Sequence, residues 1–288
     1  MTAGLQGAQE TRAPAPGPEA GSKPLLRLNG VSKRFDNGLV AISDVSLTVR
    51  AGSFLTVLGP SGCGKSTLLA LIAGLGSPSE GDIDWPQSRY NSAGKPDRSI
   101  GVVFQEPTLL PWRTVFENVY LPLKLAKVTR RDAHDQVMDR LSQVGLSGFE
   151  SAYPRQLSGG MKMRVSIARA LIRKPRLLLM DEPFAALDEI TRTHLSLELL
   201  DLFARQGLTV IFVTHSLYES VFLSNRIVVM SSRPGRIIAD YPIDAPYPRT
   251  EDYRTSVRYN EHCRSVSGAL KEAIRAASAS DPGPSARP

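Results

Sequence analysis

The chain has 288 residues, 42% hydrophobic and 22% charged, enough for one large domain or two small ones around a sizeable core. It contains no apolar run long enough to span a membrane. Its Ala/Gly/Pro-rich start lacks the apolar core of a signal peptide, and the two cysteines, Cys63 and Cys263, point to a reducing cytosol rather than a disulfide framework. The net charge of +7 is concentrated: from Tyr120 to Met180, twelve Lys and Arg stand against four Asp and Glu, a surplus of +8. That surplus reads as a solvated helical surface, with nucleic acid or an anionic membrane as the sharper alternatives.

Residues 1–24 are too poor in bulky apolar groups to order and are expected to be a disordered tail. Strand-like segments follow at "LLRLNGVSKRF", "AISDVSLTVR" and "GSFLTVLG". The last runs into a glycine-rich loop, and "STLLALIAGL" continues as a helix. "SIGVVFQ" is a short buried strand. Residues 114–175 read as helices, "TVFENVYLPLKLA", "TRRDAHDQVMDRLSQVG" and "GGMKMRVSIARALIRKP". Strands return at "RLLLMDEP", "LTVIFVTH" and "RIVVMSS", with the helix "DEITRTHLSLELLDLFARQG" between the first two. Unbroken apolar runs such as "LLLM" and "VIFV" fit parallel strands covered on both faces. Residues 251–277 read as a polar C-terminal helix, and "SDPGPSARP" as a frayed tail. The pattern predicts an α/β core with a helical insertion.

"GPSGCGKS" fits G-x-x-x-x-G-K-[ST] between a strand and a helix. Gly59 and Gly64 let backbone N–H groups turn toward phosphates, the helix directs its positive end at them, Lys65 reaches phosphate oxygens and Ser66 is placed for Mg²⁺. Cys63 reads as a small residue at a variable loop position rather than a redox group. "LLLMDEP" ends a buried strand in two carboxylates. Asp181 is expected to hold the metal and Glu182 to polarise an attacking water, which favours hydrolysis over transfer to an organic acceptor. The alternative is that the pair only places the metal. His215 closes "LTVIFVTH" at the same sheet edge, where ligands of such sheets gather, and is assigned to the γ-phosphate. His134, His194 and His262 lie in helical segments and read as surface residues.

These residues resemble the ATP-binding subunits of ABC transporters over roughly residues 25–240. Six elements occur in that family's order: the Walker A loop at 59–67, Gln105 as the Q-loop, "LSGGM" at 157–161 as the signature, Walker B at 177–182, "ALD" at 186–188 as the D-loop, and His215 as the switch histidine. The resemblance implies a P-loop NTPase of the ABC ATPase type: a RecA-like, mostly parallel core sheet, an N-terminal antiparallel β region, a helical subdomain at about 114–175 and a C-terminal helix and tail at 241–288. It implies two ATP molecules sandwiched between two copies of the chain. Each nucleotide would lie against Gly59, Pro60, Ser61, Gly62, Cys63, Gly64, Lys65, Ser66 and Thr67 of one copy and face Ser158, Gly159 and Gly160 of the other, with Asp188 of the D-loop also among the nucleotide-binding residues. A helix preceded by Ser-Gly-Gly is physically suited to such an anion. The resemblance further implies Mg²⁺ on Ser66, Gln105 and Asp181, Glu182 as general base, His215 on the γ-phosphate and adenine stacked on Phe35, where tyrosine is commoner. Met161 and Met163 depart from the family's frequent glutamines without removing a phosphate ligand.

"FQEPTLLPWRTVFENV" and "VVMSSRPGRI" look like importers of the nitrate, sulfonate and taurine group, and related systems for pyrimidine precursors share them. That implies a peripheral protein at the cytoplasmic face of the inner membrane, a separate permease and a solute-binding protein, with no nucleic acid. Trp112 falls where the family docks its permease, so it reads either as an interface anchor or as a tryptophan buried in its own domain. "SRPGRI" reads as a turn joining two strands, with a regulatory anion site at Arg233 and Arg236 as the alternative. A soluble ATPase working on nucleic acid, a P-loop kinase and an exporter subunit are the competing classes. A single signature without sustained heptads, the signature with His215, and the two quoted stretches disfavour them in turn.

Overall fold

The computed structural model describes residues 23–88 and 98–280, with side chains to residue 275, so the tail expectations for 1–22 and 281–288 fall outside it. In chain order the elements are β1 (Pro24–Arg34), β2 (Val40–Arg50), β3 (Phe54–Leu58), α1 (Lys65–Ala73), β4 (Glu80–Asp84), β5 (Ile100–Val103), α2 (Val115–Leu125), α3 (Arg130–Gln143), α4 (Gly159–Leu171), β6 (Leu177–Asp181), α5 (Glu189–Gln206), β7 (Thr209–Thr214), α6 (Leu217–Leu223), β8 (Arg226–Met230), β9 (Ile237–Pro242), α7 (Glu251–Thr255) and α8 (Val257–Ser280).

The main sheet has the order β5-β6-β7-β3-β8-β9. Its first five strands run parallel, and β9 returns antiparallel to β8 at the edge. Every side chain of β3 and β7 is buried, as continuous apolar strands sandwiched between two layers must be. Alternation sorts them: Leu178 and Met180 enter one core with α2 to α5 and the C-terminal segment, while Leu177 and Leu179 enter the other with α1, β1 and β2. A second, antiparallel sheet of order β2-β1-β4 closes that other side. This is the P-loop NTPase architecture expected of the sequence. Among the described residues no helix is long and apolar enough to cross a membrane.

Two tethers orient the helical region. Thr114 and Glu117 form a capping box at the start of α2, and buried Asn118 bonds the carbonyls of Leu110, Arg113 and Thr114. Arg169 of α4 donates to the carbonyls of Pro107 and Thr108, each at 2.9 Å. Part of the basic surplus is therefore structural rather than solvated, with Arg140 and Arg169 both withdrawn from water.

The C-terminal segment departs from the sequence reading. It is two helices broken at Ser256, and α8 is amphipathic rather than polar: Tyr259, Cys263, Val266, Ala269 and Ala273 join the main core. His262 is half-buried with Nε2 lacking a partner, not a surface residue, and burial pushes its pKa down. Arg249, only 4% exposed, fastens the segment. It donates to Val221 O at 3.0 Å, Phe222 O at 2.8 Å and Ala245 O at 3.0 Å. Two of these acceptors are orphan carbonyls in the last turn of α6, where a cation also complements the helix dipole. Arg249→Ala is expected to lower unfolding free energy by about 3–5 kcal/mol, because buried carbonyls lose charge-assisted partners. Urea denaturation checks this, and a loss below about 1 kcal/mol would mean that water substitutes for the guanidinium.

Candidate functional site

The carboxyl ends of β6, β7 and β3, neighbours in the sheet, open into a cleft of about 690 Å³. From β3 the chain enters the Gly59–Gly64 loop and then α1. Gly64 lies at φ 100°, and a Cβ there would sit 2.7 Å from Ala41 O and from Ile42 Cγ2, so β2 backs the loop and leaves room for glycine alone. Cys63 is buried, and burial pushes its thiol pKa up, which disfavours a reactive thiolate.

Lys65 is 4% exposed, and its Nζ folds back on the loop, donating to Gly59 O and Pro60 O at 2.9 Å each. It also lies 3.6 Å from Glu182 Oε1. Glu182 follows β6 at φ 44°, a left-handed backbone uncommon for a non-glycine residue, with its N–H held by Val213 O at 2.9 Å. Its Oε2 meets His215 Nδ1 at 2.8 Å. A carboxylate only accepts, so Nδ1 carries the proton in this pair and Nε2 is left for another partner.

Asp181 ends β6 half-buried. Burial pushes its pKa up, with the nearby Ser66 hydroxyl acting against that rise. Its Oδ1 is buried without a hydrogen-bond partner. An orphaned carboxylate oxygen beside a hydroxyl is a hard-oxygen donor set that fits Mg²⁺. Gln105 lies in the same cleft, as do Ser61, Gly62, Thr67 and half-exposed Phe35.

Gly59, Pro60, Cys63 and Asp181 sit beside this cleft without lining it, and Ser158, Gly159, Gly160 and Asp188 lie on other elements, away from it. Ser158 caps α4, accepting from Met161 N–H, and begins an exposed Ser158–Gly159 corner. Asp188 caps α5, accepting from Thr191 N–H at 2.9 Å. Trp112 is 69% exposed, which removes the reading of it as a tryptophan buried in its own domain.

Sequence reasoning missed one feature and gave another, the anion site at Arg233, only as the alternative to a strand-joining turn. Glu219, buried on α6, accepts from Thr214 Oγ1 at 2.7 Å and faces Arg192 Nε at 3.4 Å. Arg192 in turn holds Leu187 O at 2.9 Å, so the end of β7 is tied to the residue before Asp188. Arg233 also reaches the cleft, from the turn joining β8 and β9. The signal for it lay in β8, which ends at the same edge as β3.

Residues 42–185 match the ABC transporter family. The chain is 45% identical over 252 residues to an uncharacterized ABC transporter ATP-binding protein of Methanocaldococcus jannaschii, covering 86% of this chain and 92% of that one. It is 44% identical over 239 residues to an aliphatic sulfonates import ATP-binding protein of Bacillus cereus, covering 82% and 92%. Among solved structures, it is similar to a component of the Clostridium perfringens cbiONQ ABC transporter complex (TM-score 0.69, 27% identity, 76% and 89% covered). It is also similar to a dimeric ATP-binding cassette in a post-hydrolysis state bound to ADP and Pi (TM-score 0.67, 31% identity, 76% and 99% covered).

Proposed function

The chain belongs to the ABC transporter family as an ATP-binding, ATP-hydrolysing subunit, and on that premise we propose that it powers import of a small sulfonate-class anion through a separate permease. Aliphatic sulfonates lead the choice because relatives 44–47% identical carry that name. Nitrate and taurine share the tetrahedral or planar oxyanion chemistry and stay on the panel. The observation that carries the mechanism is the separation of two anion-binding elements. Lys65, Glu182 and His215 converge on one cleft, while the Ser158–Gly160 helix start lines no part of it. A second copy placed head to tail would bring the two together around ATP, in keeping with the dimeric cassette of similar fold.

In this reading residues 25–240 form the ATP-binding domain, with a helical subdomain at about 114–175, and 241–288 are a C-terminal extension. Phe35 stacks on adenine, and the backbone from Gly59 to Thr67 cradles the phosphates. Lys65 leaves the carbonyls of Gly59 and Pro60 for phosphate oxygens. Ser66, Gln105 and Asp181 hold Mg²⁺, which when bound offsets charge on the phosphate oxygens. Glu182 takes a proton from the attacking water, and His215 offers Nε2 to the γ-phosphate. Ser158, Gly159, Gly160 and Asp188 complete the site from the partner copy. Positioning and fixed charge supply most of the acceleration, as in other phosphoryl transfers. The segment carrying Gln105 is tied through Arg169 to α4, and exposed Trp112 lies beyond it. This gives a mechanical route from cleft to permease at the cytoplasmic face of the membrane, where a binding protein delivers solute from the other side.

Cells lacking the chain, complemented with the native protein or with Lys65→Ala, test this on alkanesulfonates, taurine and nitrate. Loss of alkanesulfonate uptake, restored only by the native chain, is the expected result. Unchanged uptake across the panel would overturn the sulfonate-class reading and reopen the soluble and exporter classes, while leaving the ATPase assignment in place.

A further inference from the structure

We propose that Arg233 is a nucleotide-contacting residue, its guanidinium meeting the polyphosphate of ATP from the Gly62 side of the cleft. The proposal rests on the cleft being the ATP site. The turn that carries Arg233 is pinned rather than free. Ser231 N–H donates to Arg236 O at 2.9 Å, and Ser231 Oγ accepts from Arg236 N–H at 3.0 Å. Gly235 N–H bonds Ala41 O, and Gly235 O accepts from Ser43 N–H, each at 3.0 Å. A Cβ on Gly235 would lie 2.1 Å from Cys63 O, so a glycine is what lets the turn rest directly on the phosphate loop. β2 and the phosphate loop thus hold the turn that carries the arginine where it is.

The side chain is oriented as well. Arg233 Nε donates to Gly62 O at 3.0 Å, which directs the head of the fork over the loop and into the cleft that Lys65 and Phe35 also line. Its two terminal nitrogens have no hydrogen-bond or ion-pair partner among the described residues. A guanidinium offers paired donors in a plane that matches phosphate oxygens and is less strongly hydrated than an ammonium. Much of its rotamer freedom is already lost to the Gly62 bond, so less ordering is left for ligand binding to offset. Arg236, three residues on, lacks this placement: it bonds Ser43 Oγ at 3.3 Å and does not line the cleft. A turn that merely joined two strands would need neither the Gly62 bond nor an unpaired cation above a phosphate loop.

Calorimetric titration of the full-length chain with ATP, ADP and tripolyphosphate tests the assignment in the native protein, Arg233→Ala, Arg233→Lys and Arg236→Ala. Arg233→Ala is expected to weaken all three ligands about tenfold, the size of one lost charge-assisted contact. Arg233→Lys should recover part of this, and Arg236→Ala should match the native protein. Unchanged affinities in Arg233→Ala would overturn the proposal, and so would weakened ATP with unchanged tripolyphosphate, which would place the contact on the nucleoside. If Arg233→Ala fails to fold, Arg233→Lys decides: affinity equal to native for all three ligands overturns the fork-to-phosphate contact. A native protein that bound no ATP would instead refute the ATP reading of the cleft.

Discussion

Glu182→Gln is expected to bind ATP at least as tightly as the native chain, to accumulate as a nucleotide-bound dimer, and to turn over about 10²–10⁴-fold more slowly, the usual contribution of a general base. The two halves of that expectation have different causes. Turnover falls because a carboxamide cannot accept a proton from water. Binding holds or tightens because, in the empty cleft, Glu182 is the anion facing Lys65 at 3.6 Å. Incoming phosphate must compete with that carboxylate, and a neutral side chain of equal shape removes the competitor. The substitution leaves the unusual φ of 44° to a residue that tolerates it as well as glutamate does. Steady-state hydrolysis and sedimentation with ATP check both halves. Hydrolysis within threefold of native would mean that another group takes the proton. His215, 2.8 Å away, would be the first to test.

Lys65→Ala should do the opposite and lose the ligand. Two effects act in the same direction. The phosphates lose their buried cation, and Glu182 is left without its ammonium neighbour, so an anionic ligand now meets an uncompensated carboxylate. Truncating one partner of a buried charge pair costs about 2–5 kcal/mol, or roughly 30- to 5,000-fold in ATP affinity. The empty protein also loses two bonds to the loop carbonyls, so its melting temperature should fall by a few degrees. What identifies the lysine as a ligand rather than a loop prop is the disappearance of any further stabilisation by millimolar ATP. A variant that melts lower but is still raised by ATP as much as the native chain would assign Lys65 to the loop alone.

The parts of this site that sit at strand ends were readable from residue order. A run such as "LLLMDEP" states both the burial and the point where it stops, and "GPSGCGKST" and "TVIFVTH" do the same. Once three such strands lie side by side, their terminal residues meet without further instruction. What could not be read depended on partners distant in sequence. β4, "EGDID", is acidic and poor in strand formers, and it is extended because β1 offers it a ladder. The α8 stripe of Tyr259, Cys263, Val266 and Ala273 is diluted by serines and charges, so its apolar side is evident only against α6 and β8. Read locally, Arg233 belongs first to a turn joining two strands, with an anion site only as the alternative. It becomes a cleft residue because Gly235 lets its turn descend onto Cys63.

The juxtaposition of Glu182 and His215 is set across the sheet. Asp181 pairs with Val213 in the parallel register of β6 and β7, Glu182 N–H bonds Val213 O, and His215 follows two residues later. The helix that joins these strands supplies none of the residues in that register. It ends at exposed Gly207, at φ 59° with open space where a side chain would project. Chain continuity at that corner is therefore dispensable to the chemistry. A circular permutant with new termini there, or a reporter domain spliced in, should leave the acid–histidine pair in place, which makes Gly207 the natural position from which to attach a probe of the working enzyme.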